Sequence, residues 1–205
     1  MVLSPDTPPV ATDRSDHDLM LAVREGEIAR LGDLFERYHG QLYGFFVRVT
    51  GERTLSEDLV QLVFYRILKY RHTYRDEGKF SAWIYHLARR VVADHYRKHR
   101  APQAAAASDA ELEEVPDEGV DVRDRVAISD DLDRMKRAFS LLPSDQREIL
   151  TLHRFQRLAH TEIARLLDCS VGATKVRLHR AIKSLREKYL RLGSDPSTSL
   201  HPFSP

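Results

Sequence analysis

The chain has 205 residues, 31% of them charged, and a formal net charge of +1 at pH 7. That length allows one large domain or two small ones. The single cysteine, Cys169, excludes an internal disulfide and any zinc site built on several cysteines. No segment approaches the roughly 18 consecutive apolar residues of a membrane span, and the N-terminus lacks a basic start followed by an apolar run. The expectation is a cytoplasmic protein without membrane insertion, in which any signal for a polyanionic partner must be local.

Residues 1–15, rich in Pro, Thr and Asp, read as disordered. From Asp16 the pattern is helical: Leu19 and Val23 share a face in a short helix that ends near Gly26. Ile28, Leu31, Leu34, Phe35, Tyr38, Leu42, Phe45, Phe46 and Val49 then mark a long second helix, ended by Gly51. Thr54 stands three residues before Glu57, the spacing of a capping box, and predicts a third helix whose inner face is Leu59, Val63, Phe64, Ile67 and Leu68. The stretch RHTYRDEGKF, residues 71–80, is polar and contains a glycine, so it reads as a loop. A fourth helix follows, with Phe80, Trp83, Ile84, Leu87, Ala88 and Val91 as its buried stripe. Between Arg66 and Arg100 there are ten Lys or Arg against Asp76, Glu77 and Asp94, ten minus three or a local +7, which suits a polyanion.

Composition changes abruptly at Ala101. Residues 101–128 carry two prolines, a run of alanines, eight acids and two arginines, and no sustained apolar stripe before about Val126, so they read as a tether. Leu132, Met135, Ala138, Phe139 and Leu142 begin a second helical unit; Pro143 breaks it, and Ser144 can cap a helix bearing Ile149, Leu150 and Leu152. Ile163, Leu166 and Leu167 then form a stripe that Asp168, Cys169 and Ser170 interrupt before Val171, Thr174, Leu178, Ala181 and Ile182 begin another. This reads as helix, tight turn, helix, with Ser170 as N-cap and Cys169 packed in the turn. The outward face of the second helix carries Lys175, Val176, Arg177, His179, Arg180 and Lys183, the charge a major-groove element needs; an ordinary amphipathic pair with solvated cations would give the same pattern. The fold class expected is all-α: two small helical domains joined by an acidic flexible linker, the second containing a helix-turn-helix.

Taken together in their order, several phrases resemble the alternative sigma factors of bacterial RNA polymerase, in particular the two-domain extracytoplasmic-function (ECF) class. They are residues 56–61, Ser-Glu-Asp-Leu-Val-Gln; residues 80–90, Phe-Ser-Ala-Trp-Ile-Tyr-His-Leu-Ala-Arg-Arg, with Asp94 and Arg97 after them; Leu142-Pro143 with Gln146-Arg147; and Glu162-Ile-Ala164 through Leu178-His-Arg-Ala181. The resemblance implies a disordered segment 1–15, a sigma region 2 over 16–100, an acidic linker 101–127, a sigma region 4 over 128–192 and a tail 193–205. It also implies core RNA polymerase, promoter DNA and an anti-sigma factor as partners.

Residue by residue, the resemblance puts core-polymerase binding on Asp58 and Gln61, with Glu57 and Arg66 beside them. Glu57 and Asp58 would equally complement a helix N-terminus. It puts minus-10 recognition on the loop residues Tyr74, Arg75 and Lys79, where a flipped base is held, and on Arg89, Arg90, Arg97, Lys98 and Arg100 for the DNA backbone. Phe80 and Trp83 lie on the apolar stripe and read as core. Minus-35 contacts fall on Lys175, Val176, Arg177 and Arg180, with Thr161 and Ser170 at helix starts. Arg90 stands where the family usually has Asn, and Asp168 where it has Gly; the recognition helix opens Val171-Gly-Ala-Thr. These departures bear on promoter preference rather than on the fold.

No catalytic, cofactor or metal site is expected. His95 and His99 are four apart but have no third ligand and stand among Arg97, Lys98 and Arg100, and no nucleophile–base arrangement or phosphate loop occurs. Two other readings remain at this level: a stand-alone helix-turn-helix regulator that binds an operator as a dimer, and a helical adaptor that touches only protein. A flexible tether would permit both a closed and an extended placement of the two domains.

Overall fold

The computed structural model describes residues 14–75, 79–99 and 122–193, and among them every regular element is helical. Arg100, most of the acidic tether and the terminal segments lie outside the described residues. The order is α1 (Asp16–Glu25), α2 (Arg30–Thr50), α3 (Arg53–Tyr70), a 3₁₀ turn (Arg71–Thr73), α4 (Phe80–His99), α5 (Val122–Ser140), α6 (Ser144–Leu150) running into a π-helical turn (Thr151–Phe155), α7 (His160–Leu166) and α8 (Val171–Gly193).

Local chemistry sets most boundaries. Ser15 caps α1: its hydroxyl accepts from the Asp18 amide while the Asp18 carboxylate accepts the Ser15 N–H. Gly26 and Gly51 end α1 and α2 at φ of 110° and 80°, where a side chain would be strained. The expected capping box of α3 does not form. Thr54 lies inside the helix, because Thr50 Oγ1 already accepts from the Glu52 amide at 3.1 Å and Ser56 bonds back to the Glu52 carbonyl, so α3 begins at Arg53. Nor does Ser144 cap α6; the Pro143 carbonyl accepts from the amides of Gln146 and Arg147, each at 3.0 Å, and Pro143 is itself the N-cap. Helix α5 starts at Val122, within the expected linker, since no Gly or Pro interrupts the chain from there to Leu142.

The first four helices bury Leu34, Leu42, Phe45, Phe46, Leu59, Val63, Ile67, Ile84, Ala88 and Val91 almost completely. Large apolar side chains buried to this degree contribute about 1.5–3 kcal/mol each. Leu142, Ile149, Leu152, Ile163, Leu178 and Ala181 form the centre of the later helices, and the two sets join into one contiguous apolar cluster. α2 packs on α6 and its π-helical extension, and α4 packs on α7. The helical halves are therefore in contact, in a closed arrangement.

Candidate nucleic-acid interface

The tight turn before α8 holds Asp168 at φ 48°, the left-handed conformation that Asp tolerates, and Ser170 Oγ accepts from the Ala173 amide at 3.0 Å as the expected N-cap. Cys169 lies half-buried beside the Thr174 hydroxyl, 3.4 Å away. Thr174, Leu178 and Ala181 turn inward, so helical geometry puts Lys175, Val176, Arg177 and Arg180 on the outer surface, with Val176 50% exposed. Thr161 and Ser170 meet on the wall of a cleft of about 500 Å³ between α7 and the start of α8. Lys175, Val176, Arg177 and Arg180 are all exposed in the closed arrangement. Cations beside an apolar side chain on one exposed helix face are the chemistry that meets duplex phosphates and base edges.

On α3, Glu57, Asp58 and Gln61 are exposed along its first half, an acidic and polar strip with open access. Arg66 differs: its guanidinium bonds Asp94 of α4 at 2.7 Å, so it ties two helices together. That hydrogen bond, ahead of the surrounding charges, holds the Asp94 carboxyl below its ordinary pKa.

The loop after α3 holds the largest departure from expectation. Tyr74 is 3% exposed, edge-on to Trp83 and Phe80, with its hydroxyl 3.0 Å from His17 Nδ1 and its carbonyl accepting from Arg24 at 3.2 Å. The 3₁₀ turn folds the ring into the core, so the base-contact role expected of Tyr74 is corrected to a packing role. Arg75 and Lys79 are exposed, and Lys79 also pairs with Glu162 of α7 at 3.3 Å. Phe80 is buried and Trp83 packs against the core, as their stripe implied.

Along α4, Arg90, Arg97 and Lys98 are exposed, whereas Arg89 points into the contact between the helical halves. It donates to Glu148 of α6 at 2.7 Å and to the Leu166 carbonyl of α7. Neighbouring Tyr85 donates to Gln156, and Arg48 of α2 lies 3.9 Å above the Phe155 ring. Burial pushes the Tyr85 phenol up; burial, then the charges of Arg90 and Arg89, pushes the His86 imidazole down. The His95 and His99 ring centroids lie 4.3 Å apart with the planes tilted by 33°, and among the described residues no group of three potential ligands could hold a metal ion. No helix of the described residues is long and apolar enough to cross a membrane.

The arrangement thus offers two separate basic faces, on α4 with its preceding loop and on α8. Comparison with known proteins matches that division: residues 34–101 fit the family model of Sigma-70 region 2 and residues 132–185 that of Sigma-70, region 4. The ECF RNA polymerase sigma factor ShbA of Streptomyces griseus is 34% identical over 142 residues, covering 68% of this chain and 74% of that protein. The chain belongs to the ECF sigma factors.

Solved structures of this sigma-factor fold include CnrH in complex with the cytosolic domain of CnrY (TM-score 0.63, 20% identity, 89% of this chain and all of that one). Another is the sigma factor RpoE in complex with the anti-sigma factor NepR from Bartonella quintana (TM-score 0.56, 18% identity, 85% and 93%). Its relatives are sigma factors, which are not enzymes. The region 2 match takes in α2 to α4, and the region 4 match most of α5 to α8. Sequence reasoning missed the residues that join the two: Glu148, Gln156 and Phe155 carry no periodic signal that would single them out.

Proposed function

We propose that this protein binds core RNA polymerase, carries it to a promoter with minus-35 and minus-10 elements and assists strand opening there, without chemistry of its own and in the cytoplasm. The observation that carries this reading is the occurrence of both sigma regions, in order, in one chain whose exposed cations fall on two separate faces. In this reading region 2 spans 16–100 and region 4 spans 128–192, with 101–127 as the acidic tether between them. Asp58, Gln61 and Glu57 meet the polymerase; Arg75, Lys79, Arg90, Arg97 and Lys98 serve the minus-10 DNA. Lys175, Val176, Arg177 and Arg180, with Thr161 and Ser170, serve the minus-35 duplex. Arg66 and Arg89 reach their expected partners only by giving up Asp94 and Glu148. Exposed interfaces on both regions suit capture by an anti-sigma factor, as in the complex of RpoE with NepR. An operator-binding regulator would leave the region 2 match without a purpose.

Run-off transcription with core polymerase and a library of promoter fragments tests it. Promoter-specific transcripts that require the protein and weaken in both Asp58→Ala and Arg180→Ala are expected. Specific binding to palindromic duplex with no added transcript would overturn it.

A further inference from the structure

α1 precedes the region 2 match, which begins at residue 34, and neither the sequence nor the comparisons give its polar residues a task. Its inner face is ordinary core: Leu19, Met20 and Val23 are 2% exposed or less. Its polar residues are used in two directions. Asp16 accepts from Tyr38 at 2.6 Å and from Arg37 at 2.7 Å, which fixes the start of α1 on α2. His17 and Arg24 turn instead to a single residue of the loop after α3, Tyr74, which lies 57 and 50 positions away in the chain.

They grip it at both ends. His17 Nδ1 meets the Tyr74 hydroxyl at 3.0 Å, with the ring centroids 5.8 Å apart, and Arg24 donates to the Tyr74 main-chain carbonyl at 3.2 Å. Two helical turns, about 10.5 Å, separate His17 from Arg24, so the two share a face of α1 and the tyrosine lies along it. The other side of the ring is closed by α4, with Trp83 edge-on at 4.9 Å and Phe80 at 6.1 Å. Phe80 in turn meets Tyr38 edge-on at 5.2 Å, so α1, through Asp16, and α4, through Phe80, are anchored on the same residue of α2. The carbonyl bond reaches further than the ring contacts do. Tyr74 leaves the 3₁₀ turn with extended backbone, φ −65° and ψ 127°, and ψ sets both where its carbonyl points and where the planar peptide sends Arg75. Upstream the turn is closed by its own bonds, the Tyr74 amide to the Arg71 carbonyl at 3.1 Å and the Thr73 hydroxyl to the Tyr70 carbonyl at 2.7 Å. Arg24 fixes the torsion that remains, at the buried residue directly before exposed Arg75. A helix that served only the core would need neither bond.

We propose that α1 is a clasp on this loop, with His17 and Arg24 as positioning residues that hold Tyr74 and thereby set the direction in which Arg75 is presented to DNA. The proposal rests on the sigma reading and deepens it: neither residue touches DNA, and both act through residue 74. A loop held in its binding conformation beforehand binds more tightly because less ordering is left for the moment of contact. Loss of the clasp therefore falls on recognition by the loop, whereas polymerase docking through the first half of α3 and duplex binding through α8 are untouched.

The test has two arms, both on the full chain, with thermal melts to establish that each variant folds. In the free protein, Arg24→Ala should raise hydrogen exchange at the Tyr74 amide roughly tenfold and leave the amides in the middle of α2 as they are. In holoenzyme on a promoter fragment that the wild type transcribes, His17→Ala with Arg24→Ala should reduce permanganate reactivity of minus-10 thymines roughly tenfold at unchanged core-polymerase affinity. Arg24→Lys, which keeps a donor for the carbonyl, should recover most of that loss. Should the double alanine variant fail to fold, Tyr74→Phe removes only the hydroxyl and should still cost a few-fold in opening. The same changes made on top of Arg75→Ala should add little, because residues that act through one another are not additive. Unchanged exchange at Tyr74, or opening equal to wild type in a folded variant, would overturn the clasp. So would losses that add in full to that of Arg75→Ala, for α1 would then serve stability alone. The exchange arm needs no polymerase, so its result separates from a failure of wild-type protein to support run-off transcription, which would fault the sigma reading instead.

Discussion

Arg89 and Glu148, 59 positions apart, join region 2 to region 4: Nε of Arg89 lies 2.7 Å from the Glu148 carboxylate, both side chains being largely sheltered. The same guanidinium bonds the carbonyl of Leu166 at the end of α7. Arg89 is also one of the cations proposed for minus-10 DNA, so the closed arrangement and that contact compete for one side chain.

Glu148→Ala and Arg89→Ala should both loosen the closed arrangement, by about 1–2 kcal/mol, or roughly tenfold in the balance of closed and open forms. Small-angle scattering of the free protein reads this as an increase in radius of gyration. Transcription separates the two. Glu148→Ala leaves Arg89 available and should preserve or raise promoter-specific run-off, while Arg89→Ala should lower it. Equal loss of transcription in both variants would mean that Glu148 acts in the complex rather than against it.

On α8 Lys175 and Arg180 are exposed, so their contribution to duplex binding is separable. Lys175→Ala with Arg180→Ala should lower the salt slope for minus-35 duplex by about 1.8, two phosphates at about 0.9 each, if both grip the backbone. A smaller change in slope, with relaxed preference at one base pair, would identify one of the pair as a guanine reader worth about 1–3 kcal/mol of discrimination.

Much of this fold was legible because α2, α3 and α4 are amphipathic over many turns. Leu34, Tyr38, Leu42, Phe45 and Val49 recur at the spacing that buries one face, and they are buried. The turn at Asp168 was legible too, since a short polar residue between two stripes has few other conformations open to it. Tyr74 was not. A lone aromatic in a polar run has no periodicity, and only the 3₁₀ turn shows that it faces Trp83 rather than solvent. The start of α3 was misread because Thr50 takes the Glu52 amide and the Ser56 amide already donates to the Glu52 carbonyl at 3.1 Å, so the helix is under way before Thr54. Of the proposed site residues, those on α8 needed only helical phase, whereas the engagement of Arg66 and Arg89 depends on partners that spacing cannot reveal.

Asp168 supports a stability prediction of its own. At φ 48° Asp is tolerated but strained, and Gly is not. Asp168→Gly should leave stability within about 0.5 kcal/mol of wild type, relief of strain offsetting the greater freedom of the unfolded chain, while Asp168→Val should cost more than about 1 kcal/mol. Urea midpoints check the order. A valine variant as stable as wild type would show that the turn relaxes without harm.

Asp94 is the common partner of Arg66 and Arg97, and Asp94→Asn should destabilise the protein by about 1–2 kcal/mol at neutral pH, chiefly by leaving the sheltered Arg66 without a charged acceptor. Because the Arg66 hydrogen bond holds the Asp94 carboxyl below its ordinary value of 3.8, the folded protein binds that proton less readily than the unfolded chain does. The ion pair's contribution is therefore complete above about pH 5 and is lost as pH falls through 3.8 toward the lower folded value. Urea unfolding of wild type and variant across this range should show a constant difference from neutral pH down to about 5, narrowing below it. A difference that persists undiminished in acid would mean that Asp94 contributes through packing or neutral hydrogen bonds instead of through its charge.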